Sequence, residues 1–264
     1  MPDSWYANGV LKHSRKAKGF GAAINSFLDG TIVFVDNLND SGAGSLRTAM
    51  TTVGAKMIIP RVGGTLRWTA VPPDFTADTY LAGQVAPGGG LQLTPDTLYS
   101  GTLFNVPVSN VVVRGVRIRH NPAGTPGTGQ TNFAVRVPAN GVSFMDCSVA
   151  FSLDENVSIA KASGGAQTML NVTVQDCLIA EGLSGHSTGA TITGTSDESV
   201  PTRFYQDITN ISIYRNLFVR NHQRNPLLCS GGVESINNFV HDWANQVGRT
   251  RFASTIDIIS NYCQ

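Results

Sequence analysis

Short apolar runs broken by one or two polar or small residues dominate the chain, and no long stretch carries a helical period. The runs VVVRGVRIR (111–119), VSFMDCSVA (142–150), VTVQDCLIA (172–180), ISIYRNLFV (211–219), VESINNFV (233–240) and IDIISNYC (256–263) share one form. Each is a Val- and Ile-rich strand, a bend, and a second short strand. Aligning the runs on the bend places Gly115, Cys147, Cys177, Asn216, Asn238 and Asn261 in one column, at spacings of 32, 30, 39, 22 and 23 residues. A constant strand unit with insertions of variable length predicts a parallel β-helix of about 22 residues per coil, some eight coils in all, with the surplus residues in loops. A β-sandwich also yields short strands, but it gives no reason for the same bend at the same offset in successive units. In a solenoid the column stacks at about 4.8 Å. Asn216, Asn238 and Asn261 then form an amide ladder with a structural role, continued by Cys147 and Cys177 as small buried residues.

The ends differ from the middle. Residues 1–30 are mixed, basic and poor in strand pattern. They are expected either to cap the open end of the solenoid with a short helix or to act as an arm on a partner, leaving 31–264 as the β-helix domain. From TIVFVDNLNDSGAGSLRTAM (31–50) the chain reads as strand, turn and short helix, and KMIIP and TLRWTAV begin the first coils. APGGG (86–90) reads as a turn, since no helix follows to make a phosphate cradle.

Composition agrees with an all-β solenoid: 264 residues, 28 glycines, 41% hydrophobic and only 14% charged. Lys+Arg 19 against Asp+Glu 18 leaves a net charge of +1, too little to draw the chain onto nucleic acid. No apolar run is long enough for membrane insertion, and no signal peptide is visible. The four cysteines form no CxxC pair and are expected to be free and buried.

Seven segments, taken in order, resemble the pectate lyases with compact right-handed parallel β-helices. They are DNLNDSGAGSLRTAM (36–50), LAGQVAPGGGLQL (81–93), NVVVRGVRIRHN (110–121), SFMDCSVAFSLDENVSI (143–159), CLIAEGLSGHSTG (177–189), NLFVRNHQRNP (216–226) and NNFVHDW (237–243). The resemblance implies an all-β right-handed parallel β-helix whose C-terminal end is shortened. It also implies calcium-assisted β-elimination in an acidic polysaccharide such as polygalacturonate. On it, Arg224 matches the proton-abstracting arginine and Asp154 a calcium carboxylate, with Glu155 as a further oxygen donor. Arg220, His222, His186 and Arg136 become candidate substrate contacts.

Each assignment has a structural alternative. Arg224 either binds substrate or pairs with Glu181 or Asp242, and Asp154 with Glu155 either ligate or cap a turn. Arg117, Arg119 and Arg136 either form a basic stripe or pack their stems on the sheet. The chain departs from the family pattern at functional positions. Phe133 stands where an aspartate is usual, Ser158 where many members place a carboxylate, and Thr188 in place of a lysine. Cys229 stands in place of a second arginine and Cys147 in place of a histidine. One firm carboxylate plus hydroxyls makes at most a weak calcium site, so Arg224 is expected to act as a carboxylate-binding donor. The leading expectation is therefore a polysaccharide-binding β-helix with weak or no lyase activity, in an assembly such as a phage tail spike or virion component. It would be extracellular after release, with a homo-oligomer or partner contact at the last coil and the N-terminal arm. The alternative is an active calcium-dependent uronan lyase with Arg224 as base.

Overall fold

The computed structural model describes residues 6–7, 10–97, 99–121, 129–136, 138–161, 168–183, 185–193, 208–251 and 255–264. Residues 1–5 and 8–9 of the N-terminal segment and Ser254 of the last repeat lie outside this set.

The described strands from Thr31 onward stack into three parallel sheets of nine, eight and six strands, wound as a right-handed β-helix. The nine-stranded sheet runs from Thr31–Val35 to Ile256–Ile259 and the eight-stranded sheet from Gly64–Trp68 to Tyr262–Cys263. The six-stranded sheet runs from Phe104–Val106 to Arg249–Thr250. Alternation along each strand decides what is inside. Val111, Val142, Val172, Ile211 and Val233 lie in register on successive coils and, with rows such as Val113, Phe144, Val174 and Ile213, fill one continuous core. Leu46, Ala49 and Met50 of the α-helix Leu46–Thr51, which connects the first two paired strands of the nine-stranded sheet, join that core. The Ser45 side chain caps this helix by accepting from the Thr48 N–H.

The amide ladder is present. Asn261 Oδ1 accepts from Asn238 N (2.8 Å) and Nδ2 (2.9 Å). Asn238 Oδ1 accepts from Asn216 N (2.8 Å) and Nδ2 (3.1 Å), and Asn216 Oδ1 accepts from Cys177 N (3.0 Å). One member of the expected column is out of place. The residue stacked on Cys147 is Val116, whose N–H points to the Cys147 sulfur at 3.5 Å. Gly115 belongs one position earlier, with Asp146, Asp176, Arg215, Asn237 and Ser260, which all turn the bend at positive φ (53–71°). The glycine is the bend residue itself, so aligning on small residues slips that coil by one. The cysteines are all free, but Cys263, on the final strand, is exposed and not buried as expected.

Among its described residues, the segment before Thr31 makes no α-helix over an open end but one 3₁₀ turn, Phe20–Ala22, laid on the outer face of the nine-stranded sheet. There Gly21 N donates to Thr173 Oγ1 (2.8 Å), Phe20 N to Ser212 Oγ (2.9 Å) and Lys18 N to Gln175 Oε1 (2.8 Å). A Cβ on Gly21 would sit 2.4 Å from the Val142 carbonyl oxygen, so the approach requires glycine. Ile24 and Phe27 then cover Tyr80, Ala82 and Val112, a small second core outside the solenoid.

Candidate functional site

The six-stranded sheet turns Phe133, Val135, Val157, Ile159, Ala190, Ile192 and Leu228 inward. Its outer face therefore carries two rows in register across successive coils: Ala134, Ser158, Thr191 and Leu227, and beside them Arg136, Ala160, Thr193 and Cys229. Phe133 stacks on Phe144 in the core with ring centroids 3.9 Å apart, so position 133 does not face the groove at all.

At one edge of this face the chain enters a strand through Asp154 and Glu155. Asp154 Oδ1 is 3.0 Å from His186 Nδ1, and Oδ2 accepts from Gly129 N at 2.9 Å. The Asp154 carbonyl accepts from Thr188 N at 2.7 Å, linking this coil to the next. Glu155 Oε2 accepts from the Thr131 hydroxyl at 3.1 Å. Burial, reinforced by the neighbouring Asp154 charge, pushes the Glu155 carboxyl up to about 7. The carboxyl thus keeps its proton well above the ordinary glutamate range.

Arg136 lies across the Ala160 position, and its Nη1 donates to Ser158 O (3.2 Å) and Oγ (3.1 Å). Burial lowers its pKa from the ordinary arginine value, opposed by the Glu155 and Asp154 charges. Arg119 repeats the device on the eight-stranded sheet. It stands opposite Ala150 and donates to Ser148 O (2.9 Å) and Oγ (2.7 Å). The recurrence shows that an arginine opposite an alanine, with serine two residues earlier on the next coil, clamps adjacent coils together.

Farther along the stack, Phe151, Glu181, Arg220 and Asp242 turn the same bend on successive coils with φ of 72°, 54°, 52° and 54°. Arg220 bonds Asp242 at 3.0 Å and Glu181 at 3.5 Å. The carboxylates considered as partners for Arg224 are thus taken by Arg220, because they share its bend. Arg220 and His222 line an open cavity of about 350 Å³ with Gly182, Gly185, Asn221 and Trp243. Arg224 follows at φ 55°, before a cis Asn225–Pro226 peptide. Its carbonyl accepts from Ala190 N (3.0 Å), and its Nε is buried with no hydrogen-bond partner. Gln223 bridges Thr188, which pairs with Glu155. The acid pair and the Arg224 segment therefore lie two strand spacings apart on one face, about 10 Å.

The donor set does not fit a calcium ion held by the protein alone. Calcium takes 6–8 oxygens, whereas Asp154 has both oxygens engaged and Glu155 resists ionisation. Among the described residues no group of three or more His, Cys, Asp or Glu is placed to hold a metal.

A second buried ladder escaped the sequence reading. Asn132 Nδ2 donates to Asn156 Oδ1 (2.7 Å), and Asn156 Nδ2 donates to Asn221 Oδ1 (2.8 Å). It seats the turns that carry Glu155 and His222. The only signal was an asparagine at the edge of each strand unit, at spacings too irregular to align.

No family model matches the chain. It is 31% identical over 253 residues to a protein of Aspergillus oryzae named probable pectate lyase C, covering 93% of this chain and 52% of that protein. Proteins of the same name from Neosartorya fischeri and Emericella nidulans are 33% and 32% identical over 250 and 246 residues, again at 93% of this chain. The chain thus spans about half the length of these curated relatives. Among solved structures, the cedar pollen allergen Jun a 1 superposes with a TM-score of 0.65 at 14% identity, over 92% of this chain and 69% of that one. At that identity the likeness concerns the fold.

Proposed function

The chain belongs to the pectate lyase family of right-handed parallel β-helix proteins, and from that premise we propose that it binds an acidic polysaccharide of the pectate type at the open cavity lined by Arg220 and His222, next to Arg224. One observation carries the reading. Elsewhere on the solenoid Arg47, Arg61, Arg114, Arg215 and Arg220 each hold an ion pair, and Arg117, Arg119 and Arg136 donate to backbone carbonyls, whereas among the described residues Arg224 has no ion pair and its buried Nε has no hydrogen-bond partner. A guanidinium with no carboxylate of its own, two residues beyond the His222 that lines the cavity, is a two-pronged donor for the carboxylate of a uronate. His222 and Trp243 in the adjoining cavity offer a polar contact and an aromatic face to the sugar ring.

A second reading, slow β-elimination, is favoured by the relatives' name and by Arg224 itself. In that reaction the C5 proton leaves to a base, and the C4 oxygen departs as the C4–C5 double bond forms. Arg224 is then the proton acceptor. Thr188 and Cys229 occupy positions where further cations would assist, and Glu155, its pKa held up to about 7 by burial, stands two strands away with a proton to give. The distinguishing experiment follows the ultraviolet absorbance of unsaturated uronides from pectate and related uronans, with calcium and with chelator, for wild type and Arg224→Ala. Slow product formation that Arg224→Ala abolishes supports turnover. Binding with no product in any condition restricts the function to recognition.

A further inference from the structure

Cys229 stands on the outer row of the six-stranded sheet, yet it is only 2% exposed, so neighbouring side chains cover it. The next coil passes beside it. Arg249 pairs with Leu227 and Thr250 with Leu228, Arg249 N donates to Pro226 O (3.0 Å), and Arg251 N donates to Leu228 O (3.2 Å). Leu228 points into the core. Alternation then turns Leu227 and Cys229, and the residues stacked on them, Arg249 and Arg251, to the outside. Burial raises the Cys229 thiol pKa, opposed first by the Arg251 backbone N–H and then by the Arg251, Arg249 and Arg224 charges. Arg249 and Arg251 thus flank position 229 from the next coil, and Arg224 stands five residues before it on its own coil. Among the described residues neither Arg224 nor Arg249 has an ion pair.

We infer that Arg224, Arg249 and Arg251 form one carboxylate-binding cluster around Cys229, with the next coil supplying the positive charge that position 229 lacks. The inference rests on the polyuronate-binding reading and deepens it by adding two residues.

The test uses the full chain with polygalacturonate as probe, measured by calorimetric titration at low salt. Arg249→Gln and Arg251→Gln keep most of the side-chain stem while removing the charge, and thermal unfolding checks that both variants fold. Loss of a charge-assisted hydrogen bond predicts affinity about 10-fold weaker for each and weaker still for the pair. Arg249→Lys should recover only part of the affinity, because it keeps the charge without the fork. If wild type binds and the folded Gln variants bind equally well, the cluster is overturned and the binding reading stands. If wild type does not bind, the binding reading fails and the cluster with it.

Discussion

Replacing Asn216 by alanine cuts the amide ladder at its midpoint. The side chain is 2% exposed, accepts from Cys177 N at 3.0 Å and donates to Val174 O at 2.9 Å and Asn238 Oδ1 at 3.1 Å. The Asn216 backbone N–H still reaches Asn238 Oδ1, so that acceptor keeps a partner. Two groups are stranded: the Cys177 N–H, buried and without another acceptor, and the Val174 carbonyl, which loses its side-chain donor. At about 1–3 kcal/mol for each buried polar group left unsatisfied, the loss is about 2–6 kcal/mol, with a further contribution from the small void. Urea unfolding followed by circular dichroism should show a lower midpoint with an unchanged slope. Asn216→Asp keeps the acceptor for Cys177 but sets a carboxylate against Asn238 Oδ1, so it should be at least as destabilising at neutral pH and recover partly in acid. Asn39→Ala, in an exposed loop, should cost less than about 0.5 kcal/mol. A loss below about 1 kcal/mol for Asn216→Ala would show that the ladder does not hold the coils together.

Two titrating groups and one glycine give further tests. Burial, then the Arg114 and Lys12 charges, lower His13 from 6.5 to about 3, and neither ring nitrogen has a hydrogen-bond partner. Below pH 6.5 the unfolded chain binds this proton and the folded chain does not, so stability falls as pH drops from 6.5 toward 3. His13→Gln should remove that slope in thermal unfolding between those pH values. Glu155 has the opposite sense: its folded pKa of about 7 lies above the ordinary 4.5, so stability falls as pH rises from 4.5 to 7 and then levels off. Glu155→Gln should flatten that window. Gly21→Val cannot keep the 2.4 Å approach to the Val142 carbonyl, so limited proteolysis should release residues 12–27 while the β-helix stays folded.

The sequence makes the architecture readable because a parallel β-helix repeats one local rule. Each coil places Val or Ile inward at fixed offsets from a bend, and Asn216, Asn238 and Asn261 mark that bend by residue type alone. Gly115 misled because a glycine at positive φ and a small inward residue look alike in a string of letters. The role of residues 12–30 was hidden for a different reason: its partners, Thr173, Gln175 and Ser212, lie more than 150 residues away, and their outward direction follows only from the register of the sheet. The site was legible in kind but not in its pairings. Glu181 and Asp242 belong to Arg220 through a shared bend, and Arg136 serves the next coil as Arg119 does. Arg249 and Arg251 join Arg224 only through stacking across a coil boundary.

Affinity of the full chain for polygalacturonate at low salt, compared between wild type, Arg224→Ala and Arg61→Ala, tests the central claim most directly. Arg61 is already paired with Asp36 at 2.5 Å. The account predicts binding that weakens with added salt, a loss of about 10-fold or more for Arg224→Ala, and wild-type affinity for Arg61→Ala. Equal affinity for all three proteins, or a loss on Arg61→Ala as large as that on Arg224→Ala, would contradict it.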